Sequence, residues 1–170
     1  MIKKLLTVVL GCALASGAFA KTSGFQASLT PDIAVEDRDT RINGVSLNIW
    51  GENPQSGFAL GIVNSATGDS KGLSLGVVNY AENYTGAQLG FFNYTRGEFV
   101  GLQAGWNFFA VNYAGKLSGV QLGLVNYAET VHNGLQIGLV NIMPENEWFE
   151  DFPSDLATGM VIVNWSFGAK

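Results

Sequence analysis

Residues 119–128 read GVQLGLVNYA, and residues 134–141 repeat the phrase as GLQIGLVN. The same wording returns along most of the chain. Copies begin at Gly44, Gly57, Gly72, Gly86, Gly101, Gly119, Gly134 and Gly159. The spacings between successive starts are 13, 15, 14, 15, 18, 15 and 25 residues. Eight copies of one short unit therefore organise the chain from residue 44 onward.

Each copy alternates apolar residues with small or polar ones. In residues 134–141, Leu135, Ile137 and Leu139 point to one face, and Gly134, Gln136 and Gly138 to the other. Such alternation is the pattern of a β-strand with unlike faces. The paired glycines would cost a helix roughly 1 kcal/mol each relative to alanine. The short polar connectors suit hairpin loops and are too short for crossover helices. An all-β fold is predicted.

Two all-β architectures use such strands. The first is an antiparallel up-and-down barrel of about eight strands, one per repeat, with its apolar stripe facing outer-membrane lipid. Glycine and glutamine would then fill a narrow lumen. The stripe consists of Leu73, Leu75, Leu89, Phe91, Leu122, Leu124, Leu135, Ile137 and Leu139, and the polar lumen face of Gln88, Gln103, Gln121 and Gln136.

The alternative is a β-solenoid with one coil per repeat. It would place the apolar stripe inside as a core, with an internal ladder formed by Asn64, Asn79, Asn93, Asn126 and Asn141. Spacings that vary from 13 to 18 residues within residues 44–134 favour the barrel, because hairpin loops absorb length changes more easily than coils in register. A soluble barrel or sandwich with inward stripes is a third arrangement.

The first twenty residues are typical of a secretory signal peptide. They combine Lys3 and Lys4 with an apolar run that ends near Ala18-Phe19-Ala20, which fits signal-peptidase cleavage after Ala20. Residues 21–43 form an N-terminal segment with a predicted extra strand, and residues 44–170 form the repeat β domain. An alternative is cleavage before Cys12, which would leave a lipid-anchored protein.

Charge argues against nucleic acid as a partner. Removal of Lys3 and Lys4 changes nine basic and fourteen acidic residues to seven and fourteen, a formal charge of about −7. The remaining basic residues are scattered, whereas a phosphate-binding surface needs them clustered.

The pattern G-x-S-x-G at residues 72–76 is shared with α/β-hydrolases, where it exposes a nucleophilic serine. Here Ser74 occupies the slot that Gln88, Gln103 and Gln121 hold in other copies, and no helical pattern follows it. The only histidine, His132, lies in a connector. Without a convergent group of catalytic residues, we predict that the protein is not an enzyme and needs no cofactor.

The long segment 143–158 breaks the repeat with carboxylates and aromatic residues. The carboxylates Glu145, Glu147, Glu150, Asp151 and Asp155 form a weak Ca²⁺ candidate, although EF-hand spacing is missing. A solvated acidic loop is the simpler interpretation. The aromatic residues of this loop also suit contact with a protein partner.

The units GVQLGLVNYA, GLQIGLVN and GAQLGFFNYT resemble a bacterial family of exported surface or envelope proteins built from 14 to 15-residue G-x-Q-[LI]-G-x-[VI]-N repeats. The resemblance covers about residues 57–142, implies an envelope location and supplies no catalytic residues. We therefore expect a non-enzymatic, exported Gram-negative envelope protein. The expected form is a small outer-membrane β-barrel with a filled lumen and a structural or recognition role. The alternative is a soluble periplasmic or surface β-repeat binding module.

Overall fold

The structure is a computed structural model that describes residues 21–147 and 154–167. Within these residues the chain forms nine strands and one helix of five residues. They are β1 (Thr22–Thr30), β2 (Ile33–Ala34), β3 (Arg41–Asn53), β4 (Ser56–Leu75), β5 (Val78–Leu89), β6 (Phe92–Ala104), β7 (Val111–Leu122), β8 (Val125–Ile142), α1 (Ser154–Thr158) and β9 (Gly159–Phe167). The all-β prediction is confirmed.

The strands stack in parallel as coils of a β-solenoid. From β3 to β8 each strand pairs parallel with the next one along the chain. Equivalent repeat residues stand side by side, so that Gly86 pairs with Gly101, and Gly119 with Gly134. Parallel strands normally need a crossover connection. Here each coil returns the chain to the start of the previous coil, so the next strand runs parallel beside it.

The predicted antiparallel barrel is therefore wrong, and its solenoid alternative is the observed architecture. In the described part of the chain, antiparallel pairing is found between β1 and β2 and between β8 and β9, at the two ends of the stack. Parallel stacking places identical side chains next to one another, whereas an antiparallel hairpin would bring unlike residues opposite each other. The asparagine and glutamine side chains can bond to their equivalents in the next coil because of this parallel pairing.

Each coil contains two extended passes. The first pass carries G-x-Q-x and the second carries V-N-Y-A or a close variant, and a two-residue bend joins them at residues 76–77, 90–91 and 123–124. Backbone bonds connect successive bends, as from Val77 N to the carbonyl of Ile62 and from Phe91 N to that of Val77, both at 3.0 Å. At the other end of the passes, the polar connectors lead into the next coil.

Asparagine side chains form one continuous column inside the solenoid. Each Nδ2 donates to the Oδ1 of the asparagine in the next coil, at 2.8–3.1 Å. The column runs through Asn48, Asn64, Asn79, Asn93, Asn112, Asn126 and Asn141. The predicted internal asparagine ladder is confirmed, and it includes Asn48 and Asn112 in addition.

Glutamine side chains form a second column. Nε2 of Gln103 donates to Oε1 of Gln88 at 2.9 Å, and Gln121 and Gln136 continue the column at 2.7 and 2.8 Å. All six glutamines of the chain are at most 4% exposed, although this residue type is usually on the surface. A primary amide both donates and accepts, so a stack of amides satisfies itself when its members are in register.

The apolar stripe lies outside, contrary to the solenoid arrangement expected from sequence, which placed it in the core. Alternation along a strand allows only one of two faces to point inward, and the amides occupy that face. A small apolar cluster fills the interior near the connectors. It contains Ala66, Ala81, Tyr84, Phe99, Ala114, Leu117 and Ala128, with Val131 packed against it.

The first glycine has a steric role in five coils, at Gly57, Gly72, Gly86, Gly101 and Gly119, where φ is 123–150°. Gly86 has a φ of 134°, and a Cβ atom there would lie 2.0 Å from the carbonyl oxygen of Gly72. L-residues rarely adopt this backbone conformation, and the neighbouring backbone leaves no space for a side chain. Glycine at this slot therefore permits the close stacking that both amide columns require.

Candidate functional site

The structure separates the two sets of residues that the repeat pattern singled out. The four glutamines Gln88, Gln103, Gln121 and Gln136 are fully buried in their column. The apolar stripe points outward. Its members Leu73, Leu75, Leu89, Leu122 and Leu135 are half-buried on the outer surface, and Phe91, Leu124, Ile137 and Leu139 are exposed. Only the apolar set is therefore accessible to a partner.

A row of exposed apolar side chains lies along the bends. We call this side of the solenoid the bend edge. It consists of Ile49, Trp50, Ile62, Val77, Phe91, Phe92, Val111, Leu124, Leu139 and Val140, together with Trp106, Phe108 and Phe109 from the turn 105–110. These side chains are 38–64% exposed. The bend edge is a continuous convex row because the bends of successive coils stack directly on one another.

The turn 105–110 accommodates the extra residues of the copy that starts at Gly101, which is followed by an 18-residue interval. Asn107 and Phe108 both have positive φ, at 51° and 67°, and Trp106 is bridged to Phe109. The added residues project from the bend edge, and the interior stays in register, since Asn93 still donates to Asn112 at 2.8 Å. Residues beyond the repeat thus enlarge the apolar surface without disturbing the amide columns.

Charged residues are absent from the bend edge by sequence. Residues 44–51, 57–68, 72–81, 86–95, 101–115, 119–128 and 134–143 contain no Asp, Glu, Lys, Arg or His. The charges of these coils lie in the connectors, at Glu52, Asp69, Lys71, Glu82, Arg96, Glu98, Lys116, Glu129 and His132. We call that side the connector edge.

Neighbouring connectors contact one another. Asn83 Nδ2 donates to Asp69 Oδ1 at 2.9 Å, and Lys116 lies 3.9 Å from Glu98. The connector edge is therefore a polar, solvated strip along the stack. The solenoid is amphipathic across its width, with an apolar and uncharged bend edge at one end of the passes and a charged connector edge at the other.

A column of tyrosines lies on the outside of the second pass, between these two edges. The rings of Tyr80, Tyr94, Tyr113 and Tyr127 are stacked with centroid separations of 5.4, 4.5 and 5.5 Å. The hydroxyl of Tyr113 donates to the Glu129 carboxylate, and this bond, followed by desolvation, raises the pKa of Tyr113. The tyrosine faces pack on each other, which leaves their hydroxyl-bearing edges toward the surface.

An apolar groove of about 650 Å³ adjoins the N-terminal end of the bend edge. The hairpin of β1 and β2 contributes Leu29, Ile33 and Val35, which face Leu47 and Ile62 of the first coils. The three hairpin side chains are 57–64% exposed. The groove therefore extends the apolar surface of the bend edge by one further element.

The residues considered for chemistry are not brought together. Ser74 is 4% exposed, and its Oγ donates to Asn79 Oδ1 at 2.6 Å, so this serine belongs to the hydrogen-bonded interior of the solenoid. His132 is exposed on the connector edge. Within residues 21–147 and 154–167, no group of three or more His, Cys, Asp or Glu side chains is close enough to hold a metal ion.

The Ca²⁺ candidate extends beyond the part of the chain that the structure describes. Glu145 and Glu147 are described, whereas Glu150, Asp151 and the side chain of Asp155 lie outside the described residues. The calcium site and the contact of loop 143–158 with a protein partner therefore stay predictions. The described part of the chain also contains no helix with the length and hydropathy needed to cross a membrane.

Comparisons with known proteins assign no family. No family model matches the chain, and neither a curated protein nor a solved structure matches it at a significant level. The resemblance to the bacterial repeat family accordingly stays a prediction that rests on the repeat wording alone.

Proposed function

We propose that this protein is an exported, non-enzymatic β-solenoid that acts as a binding module of the bacterial envelope through its bend edge. The exposed apolar row on the bend edge, with charges confined to the connector edge, is the observation that carries this proposal. The expected signal peptide at residues 1–20 and the wording of the repeats support an envelope location.

The size of the bend edge supports a binding role. Its thirteen apolar side chains are about half exposed on average. At roughly 150–250 Å² for a side chain of this size, they leave on the order of 1,000 Å² of apolar surface open. The largest apolar patch of a monomeric protein is typically about 300–600 Å², and larger ones mark protein or membrane contacts. The bend edge therefore exceeds what an unpartnered surface usually carries.

The interior supports binding rather than catalysis. Its amides are hydrogen-bonded along the columns and to the backbone of the opposite pass, as from Gln103 Nε2 to the carbonyl of Tyr113 at 3.1 Å. These polar groups hold the two passes at a fixed separation. The solenoid thus presents a rigid, ordered row of apolar side chains, which is the requirement for a binding surface.

The test compares a triple aspartate variant of the bend edge with a single aspartate substitution on the connector edge. Leu124 on the bend edge is 39% exposed, and Val100 on the connector edge is 37% exposed. Cells that express the tagged full chain are fractionated, and processing after Ala20 is checked by mass spectrometry. Leu124→Asp, combined with Phe91→Asp and Leu139→Asp, should release the folded protein from the envelope fraction, and Val100→Asp should not. Equal distribution of the two folded variants would contradict the proposal.

A further inference from the structure

We infer that the occupant of the bend edge is the apolar region of a lipid bilayer, so that the solenoid lies on a membrane surface with its bends inserted in one leaflet. This inference rests on the proposed function and names its partner. The chain would be attached along one edge and would not span the bilayer.

The shape of the bend edge suits lipid better than a protein. The edge is convex and only one bend wide, and seven stacked coils at about 4.8 Å make a row about 30 Å long. A protein partner would need a groove of matching length to enclose such a ridge. Acyl chains adapt to a convex surface without a preformed groove, and the exposed aliphatic and aromatic side chains of the edge can enter them directly.

The order of residue types along a coil follows the polarity of a leaflet. In the coil that starts at Gly119, the exposed Leu124 lies at the bend, Tyr127 follows three residues later, and Glu129 follows two residues after that. At about 3.3 Å per residue, Tyr127 lies about 10 Å and Glu129 about 17 Å from Leu124 along the strand.

This spacing matches the depth of interfacial insertion. Apolar faces of interfacial elements insert about 5–10 Å into the boundary between head groups and acyl chains, and tyrosine favours the head-group level. Insertion to that depth would bring Leu124 among the acyl chains and the tyrosine column to the head groups. Glu129 and the other charges of the connector edge would stay in water.

The charge of the protein determines which lipids it needs. After removal of residues 1–20 the formal charge is about −7, from seven basic and fourteen acidic residues. Anionic lipids therefore offer no electrostatic attraction, unlike the case of a polybasic membrane-binding segment. Attachment should depend on apolar contact alone, and it should be largely insensitive to salt.

The experiment is flotation of the processed full-length protein with phosphatidylcholine vesicles, at low and high salt. The native chain should float under both conditions, and added phosphatidylglycerol should not increase the floated fraction. The triple variant Phe91→Asp, Leu124→Asp and Leu139→Asp should lower that fraction by about tenfold or more, equivalent to at least about 1.4 kcal/mol. Val100→Asp should leave it unchanged.

A fluorescence measurement locates the inserted side. A variant that retains Trp106 as its single tryptophan should be quenched by phosphatidylcholine brominated in its acyl chains. The control carries its single tryptophan on the connector edge, by Val100→Trp, and should not be quenched. Equal quenching of both variants, or no quenching of Trp106 in a floated protein, would overturn the inference.

Two further outcomes separate the inference from the proposed function. If the protein stays off the vesicles and forms a dimer that shields Trp106, the occupant is a second copy and the lipid inference falls. If it stays off the vesicles but still depends on the bend edge for recovery in the envelope fraction, the lipid inference falls and the binding module stands. If the triple substitution changes neither measurement, both are refuted.

Discussion

Replacement of Gln121 by leucine tests whether the amide columns hold the solenoid together. Gln121 Nε2 donates to Gln103 Oε1 at 2.7 Å and to the carbonyl of Tyr127 at 3.2 Å, and its Oε1 accepts from Gln136 Nε2 at 2.8 Å. Leucine has nearly the same size and removes all three bonds. Gln103 Oε1 and the carbonyl of Tyr127 lose the donor that Gln121 supplied. Gln136 Nε2 keeps its bond to the carbonyl of Ile142.

The expected loss follows from the groups left behind. Each buried acceptor without a donor costs about 1–3 kcal/mol, and burial of the leucine side chain offsets about 1.5–3 kcal/mol. We therefore expect Gln121→Leu to lower the free energy of unfolding by about 2 kcal/mol, measured by urea denaturation followed by circular dichroism. The reverse exchange on the surface, Leu124→Gln, is the matched control and should change it by no more than about 0.5 kcal/mol.

The double variant Gln103→Leu and Gln121→Leu makes the test sharper. Both partners of one rung are then removed, so the orphaned Oε1 of Gln103 no longer exists. Its destabilisation should be smaller than the sum of the two single substitutions by about 1–2 kcal/mol. A Gln121→Leu variant as stable as the native protein, or strictly additive single effects, would refute the role assigned to the glutamine column.

Three other predictions concern single positions. Gly86→Ala should lower the free energy of unfolding by more than about 2 kcal/mol, because φ is 134° there and the new Cβ would collide with the carbonyl oxygen of Gly72. At Gly68, φ is 58° and a Cβ meets no atom within 4 Å, so Gly68→Ala should cost only about 1 kcal/mol. Equal effects of the two substitutions would contradict the steric argument. Ser74→Gln should raise the free energy of unfolding by about 0.5–1 kcal/mol, because Ser74 pairs with Gln88, whose Nε2 is buried without a hydrogen-bond partner. A decrease would show that the glutamine column cannot be extended to this coil. The hydrogen bond from Lys21, followed by that from Ser23, lowers the pKa of Glu36 below 4.5. The contribution of Glu36 to stability is therefore present above pH 4.5 and is lost as the pH falls through the folded-state pKa. Urea midpoints on both sides of pH 4.5 should show a steeper decline for the native chain than for Glu36→Gln, and parallel curves would contradict this assignment.

The strands and the asparagine ladder were predictable from the sequence, but the direction of pairing was not. Hairpin loops and coil connectors have the same length and polarity here, so residues 81–85 fit either architecture. The informative signal was the recurrence of Asn and Gln at the same slots, as at Asn79, Asn93 and Gln103. Amides at identical positions can bond to one another only when neighbouring strands run parallel and in register.

The variable spacing of the repeats was misleading for a physical reason. Spacings that vary from 13 to 18 residues disfavour a solenoid on sequence grounds, and the 18-residue interval follows the copy at Gly101. The structure accommodates the extra residues in the turn 105–110, outside the stack, so the register inside is unaffected. An insertion at a bend therefore says little about whether coils are stacked.

The orientation of the apolar stripe could not be read from alternation, which defines two faces without saying which is inside. The usual preference would bury Leu135 and Ile137 and expose Gln136, and the structure has the reverse. The location of the candidate site, by contrast, had a signal in the sequence. Seven uncharged windows that alternate with charged connectors predict that one edge of each coil is apolar, whatever the architecture.

The two amide columns run in opposite senses. In the asparagine column the donors point toward the C-terminal coils, as from Asn93 to Asn112, whereas in the glutamine column they point toward the N-terminal coils, as from Gln121 to Gln103. The amide dipoles are aligned within each column, and the dipoles of the two columns point in opposite directions. An α-helix accumulates partial charges at its ends as its dipoles add. In this interior the asparagine column has six bonds and the glutamine column three, and each further coil that carries both amides would add two opposed dipoles rather than two aligned ones.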